Sequence, residues 1–413
     1  MTTTPEASVA RRYAPEIVLL CGCLAGLITF GPRSAIGLFQ IPMSMEFGWS
    51  REVFSFAIAL QNLLWGIGQP FAGAFADRYG TVRALTIGAV LYAAGQALMA
   101  YATTPSMMTI GAGVLIGFGL AGCSFNLVLA AFGKLLPEKW RGLAFGAGTA
   151  AGSLGQFLFP PIGSILIERI GWQETSLVFA ATLLLVVPLS ITLATRGTGG
   201  AAAAAGAPQQ QTIRQALGEA LRHPSYVLLV IGFFTCGFQL AFITAHMPAY
   251  LKDVGLPAWV GGWTLAVIGL ANAVGSLSSG WLSGRMPRRW ILSGIYLGRA
   301  VVVVVFIMLP PSPATAIGFG VAMGLLWLST IPPTSSLVLT MFGTRYFAML
   351  YGFAFFSHQL GGFLGVLLGG MIYTSTGSYI FVWWLSAALG IASAVINIPI
   401  REVPVARPAA AAA

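Results

Sequence analysis

A long, apolar, glycine-rich pattern occurs twice in this chain, 206 to 207 residues apart. Gly73-Ala-Phe-Ala-Asp77-Arg78 returns as Gly280-Trp-Leu-Ser-Gly284-Arg285, and Leu154-Gly-Gln-Phe157-Leu158 returns as Leu360-Gly-Gly-Phe363-Leu364. At the shift of 206, Gly31 falls on Gly237, Pro42 on Pro248, Gly163 on Gly369 and Gly171 on Gly377. Two copies that run in the same direction, each long enough for six membrane passages, are related by an axis along the membrane normal. The expected fold is an all-α integral membrane protein with twelve transmembrane helices in two pseudo-symmetric six-helix bundles.

The solvent is a bilayer: 57% of the residues are hydrophobic, 8% are charged and the mean hydropathy is +0.84. Apolar runs long enough to cross about 30 Å of hydrocarbon predict spans near 16–44, 52–76, 83–102, 106–133, 142–167, 174–195, 225–251, 258–284, 290–310, 314–341, 347–373 and 379–400. The chain then divides into a tail (1–15), a first bundle (16–195), a linker (196–224), a second bundle (225–400) and a second tail (401–413). The linker begins with a low-complexity Gly, Ala and Gln stretch. It ends in Thr212 to Arg222, where Ile213, Leu217 and Leu221 recur at spacing four and predict a short amphipathic helix at the membrane surface.

The net charge of +10 reports topology rather than a nucleic-acid partner. With the N-terminus in the cytoplasm, sixteen of the 21 Lys and Arg fall on that side, including Arg78, Arg83, Lys134, Arg285 and Arg345. Only Arg51, Arg169 and Lys252 fall outside, the bias expected of a multi-pass protein of the bacterial inner membrane with both termini cytoplasmic. The first apolar run is too long for a signal sequence and has no small-residue cleavage pattern, so the first helix is expected to remain. Cys21, Cys23, Cys123 and Cys236 fall inside spans without convergent partners, and are expected to pack as small apolar residues, with no metal and no cofactor.

Gly73-Ala-Phe-Ala-Asp77-Arg78-Tyr-Gly80-Thr-Val-Arg83, between the second and third spans, resembles the signature loop of the major facilitator superfamily. The resemblance covers essentially the whole chain. It implies that Asp77, Arg78, Arg83 and Arg285 form a conformational latch at the cytoplasmic side, weaker in the second copy, where Gly284 replaces the acid. Gly31-Pro32-Arg33 through Phe47-Gly48-Trp49-Ser50-Arg51, and Phe355-Phe-Ser-His358-Gln-Leu-Gly-Gly362, resemble bacterial members of the monocarboxylate porter group. That likeness implies transport of small organic anions, commonly with a proton, and kinship with oxalate and formate exchangers. Animal members of the group share an Asp and an Arg four apart on the eighth span. Asn272 and Ser276 stand there in this chain, so that proton-coupling scheme does not carry over.

Two basic residues remain inside the membrane, Arg33 and Arg299. Arg33 is 17 residues from Glu16 and 13 from Glu46, or some 20 Å from either charged boundary at about 1.5 Å per residue. A guanidinium at that depth costs at least about 2.5 to 3.5 kcal/mol and is expected to face a wet cavity or a partner. Pro32 and Gly31 loosen the same turn, and a broken helix beside a buried cation points to a transporter's midplane site. Arg33 is read as the anchor for a substrate carboxylate, with interhelical pairing as the alternative. Arg299 is equally deep, but the resemblance makes the ninth span peripheral, so it is expected to bond carbonyls of adjacent helices.

His358 is a second candidate substrate contact, because the related oxalate exchangers carry a Lys in this neighbourhood. Its imidazole, titrating near about pH 6.5 when unperturbed, also makes it a candidate proton carrier. His246 is the other proton-coupling candidate, read also as a gate. Asn126, Gln239 and Asn272 are candidates to complete the cavity, with ordinary interhelical hydrogen bonding as the alternative, and Tyr351 and Phe355 are expected to pack or anchor, with cavity lining as the alternative. All eleven acidic residues fall at span ends or in loops, leaving no mid-depth carboxylate to relay protons or hold sodium.

Three classes of function compete. A secondary transporter of small carboxylates uses the intramembrane bases. An exporter of cationic or hydrophobic compounds on the same fold would place an acid in its cavity, and none is available. An intramembrane enzyme would need a nucleophile with a base or a metal motif, and an ATP-driven pump a phosphate-binding loop; neither pattern occurs. The expected reading is a transporter active as a monomer in the lipid bilayer, not an enzyme, with a small carboxylate as partner. Proton symport and anion exchange both stay open.

Overall fold

The computed structural model describes residues 13–195, 213–343 and 347–405. Prolines and glycines set many of its helix limits. Pro15, Pro105, Pro224 and Pro313 each stand in the first turn of a span, where a missing N–H costs nothing. Ahead of Pro313, Ser312 and Thr315 form a reciprocal capping box. Gly80 alone joins the second span to the third, and its φ of 94° is one that side-chain-bearing residues rarely adopt.

The first bundle consists of Pro15–Phe47, Arg51–Tyr79, Thr81–Ala100, Pro105–Leu135, Glu138–Ile170 and Trp172–Leu193. The second consists of Pro224–Asp253, Ala258–Ser283, Arg288–Met308, Pro313–Phe342, Phe347–Thr376 and Ile380–Asn397. No strand occurs among the described residues. Eleven of these passages are long and apolar enough to cross a membrane. The second, at 29 residues, has the length, but Gln61, Asn62 and Gln69 in its middle lower its apolarity. The helix Ile213–Arg222 precedes the seventh span and turns Ala216 and Ala220 inward, with Leu221 exposed. The low-complexity stretch 196–212, the tail residues 1–12 and 406–413, and Arg345 lie outside the described residues.

Each bundle has its own apolar core. The first span packs on the fifth and the seventh on the eleventh; across the molecule, the second packs on the eleventh and the fifth on the eighth. Gly155 faces the Leu27 carbonyl and Gly361 the Phe234 carbonyl, so closely that a Cβ at either glycine would collide with backbone. The two glycines are 206 apart. Small residues at such contacts let helix backbones approach in lipid, where no hydrophobic force drives association.

Four spans depart from continuous α-helix, the sixth by a turn at Leu185 and a 3-10 end over Ile191–Leu193. The first tightens to 3-10 geometry over Ile36–Phe39. The fourth opens at Cys123 and Ser124, and the tenth from Trp327 to Thr330. A shift of 206 places Cys123-Ser124 on Ser329-Thr330, so both halves carry the same break. The expected interruption at Gly31-Pro32 is displaced: the helix continues through Pro32 to Ala35. A proline removes one donor from a ladder, and here the remaining bonds carry the turn across it.

Candidate functional site

Between the bundles lies a cavity of about 490 Å³, walled by the first, second, fourth, fifth, seventh, eighth, tenth and eleventh spans. Among the described residues, none of the third, sixth, ninth or twelfth lines it. Arg33 reaches this wall from the first span, 9% exposed, and donates from Nη2 to Asn62 Oδ1 at 2.7 Å. Asn62 is held in turn by donating from Nδ2 to the Ile58 carbonyl at 2.8 Å. Nε and Nη1 of Arg33 are buried without a partner. Because buried polar groups are otherwise almost always paired, a guanidinium with two idle donors beside a cavity is suited to receiving an anion or ordered water. Among the described residues no Asp or Glu lines the wall.

His358, Asn126 and Asn272 reach the same cavity. The His358 ring stacks on Phe355 at 5.7 Å and meets Phe233 at 4.9 Å, and its Nδ1 lies 3.0 Å from Gln359 Oε1. Gln359 Nε2 and, on the fifth span, Gln156 Oε1 are further buried wall atoms without a partner. Tyr351 and Phe355, expected to pack or anchor, also line the cavity.

Asn272 supports the break in the tenth span. Its Oδ1 accepts from the Leu328 N–H at 2.9 Å and from Ser276 Oγ at 3.0 Å, while its Nδ2 donates to Ser153 of the other bundle at 3.1 Å. Arg299 holds the opposite side of the break. It donates from Nε and Nη2 to the Leu326 carbonyl at 3.0 and 2.6 Å, and from Nη2 to the Trp327 carbonyl. A cation at the C-terminal carbonyls of a half-helix also meets the negative end of its dipole. Gln239, expected at the cavity, is absent from its wall. It is fully buried, accepting from Arg299 Nη1 at 3.4 Å and donating to the Ser386 carbonyl at 3.0 Å. A guanidinium buried behind the wall draws that amide away from the cavity.

His246 lies outside the cavity, in a network that joins the bundles at one end. Its Nδ1 is 3.4 Å from Gln40 Nε2 and 3.2 Å from Tyr379 Oη, and its Nε2 is 2.9 Å from the Val366 carbonyl. Nearby, Arg51 donates to both carboxylate oxygens of Asp253 at 2.5 Å and to Tyr379 Oη at 3.0 Å, with its guanidinium 3.7 Å above the Tyr373 ring. This end is closed. At the other end Asp77 pairs with Lys134 at 2.6 Å within the first bundle. Arg78 lies over Tyr79, Arg285 over Trp281, and Arg83 is exposed. The expected latch residues therefore lie at the end opposite Arg51, with Arg78 and Arg285 turned onto rings close by in sequence.

The sequence reading passed over Asn62, Gln156, Gln359 and the pair Arg51 and Asp253. Two signals were available: the polar middle of the second span, and Gln359 directly after His358.

The family model of the Major Facilitator Superfamily matches residues 19–366 and 262–413. An uncharacterized MFS-type transporter of Bacillus subtilis, YcxA, is 26% identical over 361 residues, covering 85% of this chain and 86% of its own. Monocarboxylate transporter 13 of Bos taurus is 23% identical over 365 residues, covering 88% and 84%. Among solved structures, a D-xylose-proton symporter matches with a TM-score of 0.74 at 16% identity, over 94% of this chain and 98% of that one. A bacterial homolog of the human lysosomal transporter Spinster, in an inward-facing and unoccupied conformation, matches at 0.70 and 17%, over 93% and 95%. At these identities the solved structures speak for the fold alone.

Proposed function

We propose that this chain, which belongs to the major facilitator superfamily, is a secondary transporter of small organic anions that works by alternating access, with Arg33 as the main carboxylate contact. One observation carries the reading: Nε and Nη1 of Arg33 are buried and unpaired beside a cavity shared by both bundles and, among the described residues, free of acidic ones. A cation or sugar carrier has no use for an unopposed guanidinium there, whereas a carboxylate satisfies it with charge-assisted hydrogen bonds. The distant likeness to monocarboxylate transporters agrees with this. Asn126 and Asn272 complete the polar wall, and His358 serves as a second contact or as the proton carrier. His246 belongs to the gate.

The basic residues orient both termini to the cytoplasm of a bacterial inner membrane, so the cavity opens inward and the Arg51 end faces out. The fold needs no second subunit to form a pathway, and the protein acts as a monomer. Purified protein in proteoliposomes, given labelled monocarboxylates from outside, tests the reading. Uptake by wild type and its loss in Arg33→Gln are expected; undiminished uptake by Arg33→Gln sinks the anchor role. Transport that responds to an imposed pH gradient supports symport through His358, and indifference to pH with dependence on internal anion supports exchange of the oxalate and formate type.

A further inference from the structure

The geometry points to a monocarboxylate with a flat apolar body, an aryl acid, as the ligand of this cavity, in preference to a three-carbon acid or a dicarboxylate. The inference rests on the reading of Arg33 as an anion contact and deepens it.

Among the described residues the wall carries one permanent cation, Arg33, and that cation has already given Nη2 to Asn62. What remains suits a single carboxylate. A second carboxylate would have to find its partner at His358, whose ring is packed against Phe233 and Phe355 and whose Nδ1 faces Gln359. Aromatic side chains, among them Phe30, Trp65, Phe125, Phe233, Tyr351 and Phe355, form much of the apolar wall, beside aliphatic residues such as Leu129, Leu240 and Ile331. Trp65 of the first bundle and Phe355 of the second meet edge to face at 5.6 Å, so the two halves share an aromatic surface. Trp65 is held by donating to Gln69 at 3.1 Å, and Gln69 donates to Ser124 at the break in the fourth span.

Size decides against a small acid. The cavity of about 490 Å³ falls within the roughly 300 to 1,000 Å³ of sites that take drug-sized ligands. An acid of six heavy atoms would leave most of that space to water lying against apolar side chains. An aryl body displaces it, buries its own apolar surface and finds offset or edge-on partners in the rings.

Aryl acids cross bilayers unaided, so binding is read instead of flux, by calorimetric titration of the purified full-length protein. Phenylacetate and indole-3-acetate are compared with lactate, pyruvate and oxalate, and phenylacetamide serves as the uncharged match for phenylacetate. The aryl acids are expected to bind at least about tenfold tighter than lactate, with phenylacetamide much weaker than phenylacetate. Phe355→Ala and the milder Phe355→Leu are expected to narrow the aryl-to-lactate ratio, with folding checked by gel filtration. If lactate or oxalate binds as tightly as the aryl acids, the inference is overturned and the anion reading stands. If phenylacetamide binds as well as phenylacetate, or no acid binds, the anion reading falls and this inference with it.

Discussion

Two arginines lie deep in this protein, and their hydrogen bonds give them opposite expected roles. Arg299 is fully buried, and each of its three nitrogens donates to a buried oxygen on the seventh or tenth span. Arg33 has one bond and two idle nitrogens. Removing a fully paired buried cation strands its acceptors, at a cost of about 3 kcal/mol or more, whereas removing an unpaired one relieves a desolvation penalty. Arg299→Met is therefore expected to lower the melting temperature of the detergent-solubilised protein clearly. Arg33→Met is expected to hold or raise it while abolishing ligand binding. Both are read by thermal unfolding with and without ligand, and a large loss of stability in Arg33→Met would make that residue structural. Depth along the helix exposed both arginines in the sequence, because a charge far from either boundary is a strong departure from a lipid-soluble pattern. The same arithmetic could not single out Asn62, Gln156 or Gln359. A neutral amide is common wherever membrane helices pack, so only the wall of the cavity sets these three apart from Gln61 or Gln96.

At the scale of the helix, spans were legible to within a few residues because the hydropathy of the chain changes abruptly at their ends. The internal breaks were not. Gly31-Pro32 looked like the weak point of the first span, yet the helix passes through it, whereas the tenth opens at Trp327 to Thr330. A start signal was present, since Pro332 and Pro333 stand in the first turn of Ile331–Phe342. Within a continuous apolar run that signal was outweighed. What keeps the break open is tertiary, with Arg299 on the carbonyls before it and Asn272 on the N–H of Leu328, and no local pattern contains either contact. Glycines in one helix likewise play unlike parts. On the eleventh span Gly361 is pressed against the Phe234 carbonyl, while Gly352 faces open space. Gly361→Ala must push the seventh and eleventh spans apart, and overpacking of this kind costs about 1 to 3 kcal/mol. Gly352→Ala should instead gain up to about 1 kcal/mol of helix propensity. Thermal unfolding of the two variants is expected to shift in opposite directions; equal shifts would remove the close-contact argument.

For the whole molecule, the repeat locates the axis as well as the halves. Gln40 and His246 are 206 residues apart and hydrogen-bond to each other. Two positions related by a two-fold can touch only near the axis, so the axis passes between them, through the closed end. Around it stand the contacts that hold this end shut: Arg51 on Asp253, Arg51 over Tyr373, and Tyr379 within reach of Arg51, Gln40 and His246. The proposed alternating access requires this end to open while the other closes, and the balance is set by contacts present in one state only. The Arg51 and Asp253 side chains are 13% and 27% exposed, so the pair is neither fully screened nor fully desolvated, and a value near about 1 kcal/mol is reasonable. Since about 1.4 kcal/mol is a factor of ten in a two-state ratio, Arg51→Gln or Asp253→Asn is expected to raise the outward-open population several-fold. Spin labels at Ser50 and Ala258, both exposed at this end, report it in a background lacking Cys21, Cys23, Cys123 and Cys236. Each single variant should enlarge the long-distance population, and the exchanged pair Arg51→Asp with Asp253→Arg should return part of it. Unchanged distances in both single variants would mean that the packed rings and the His246 network close this end without the ion pair.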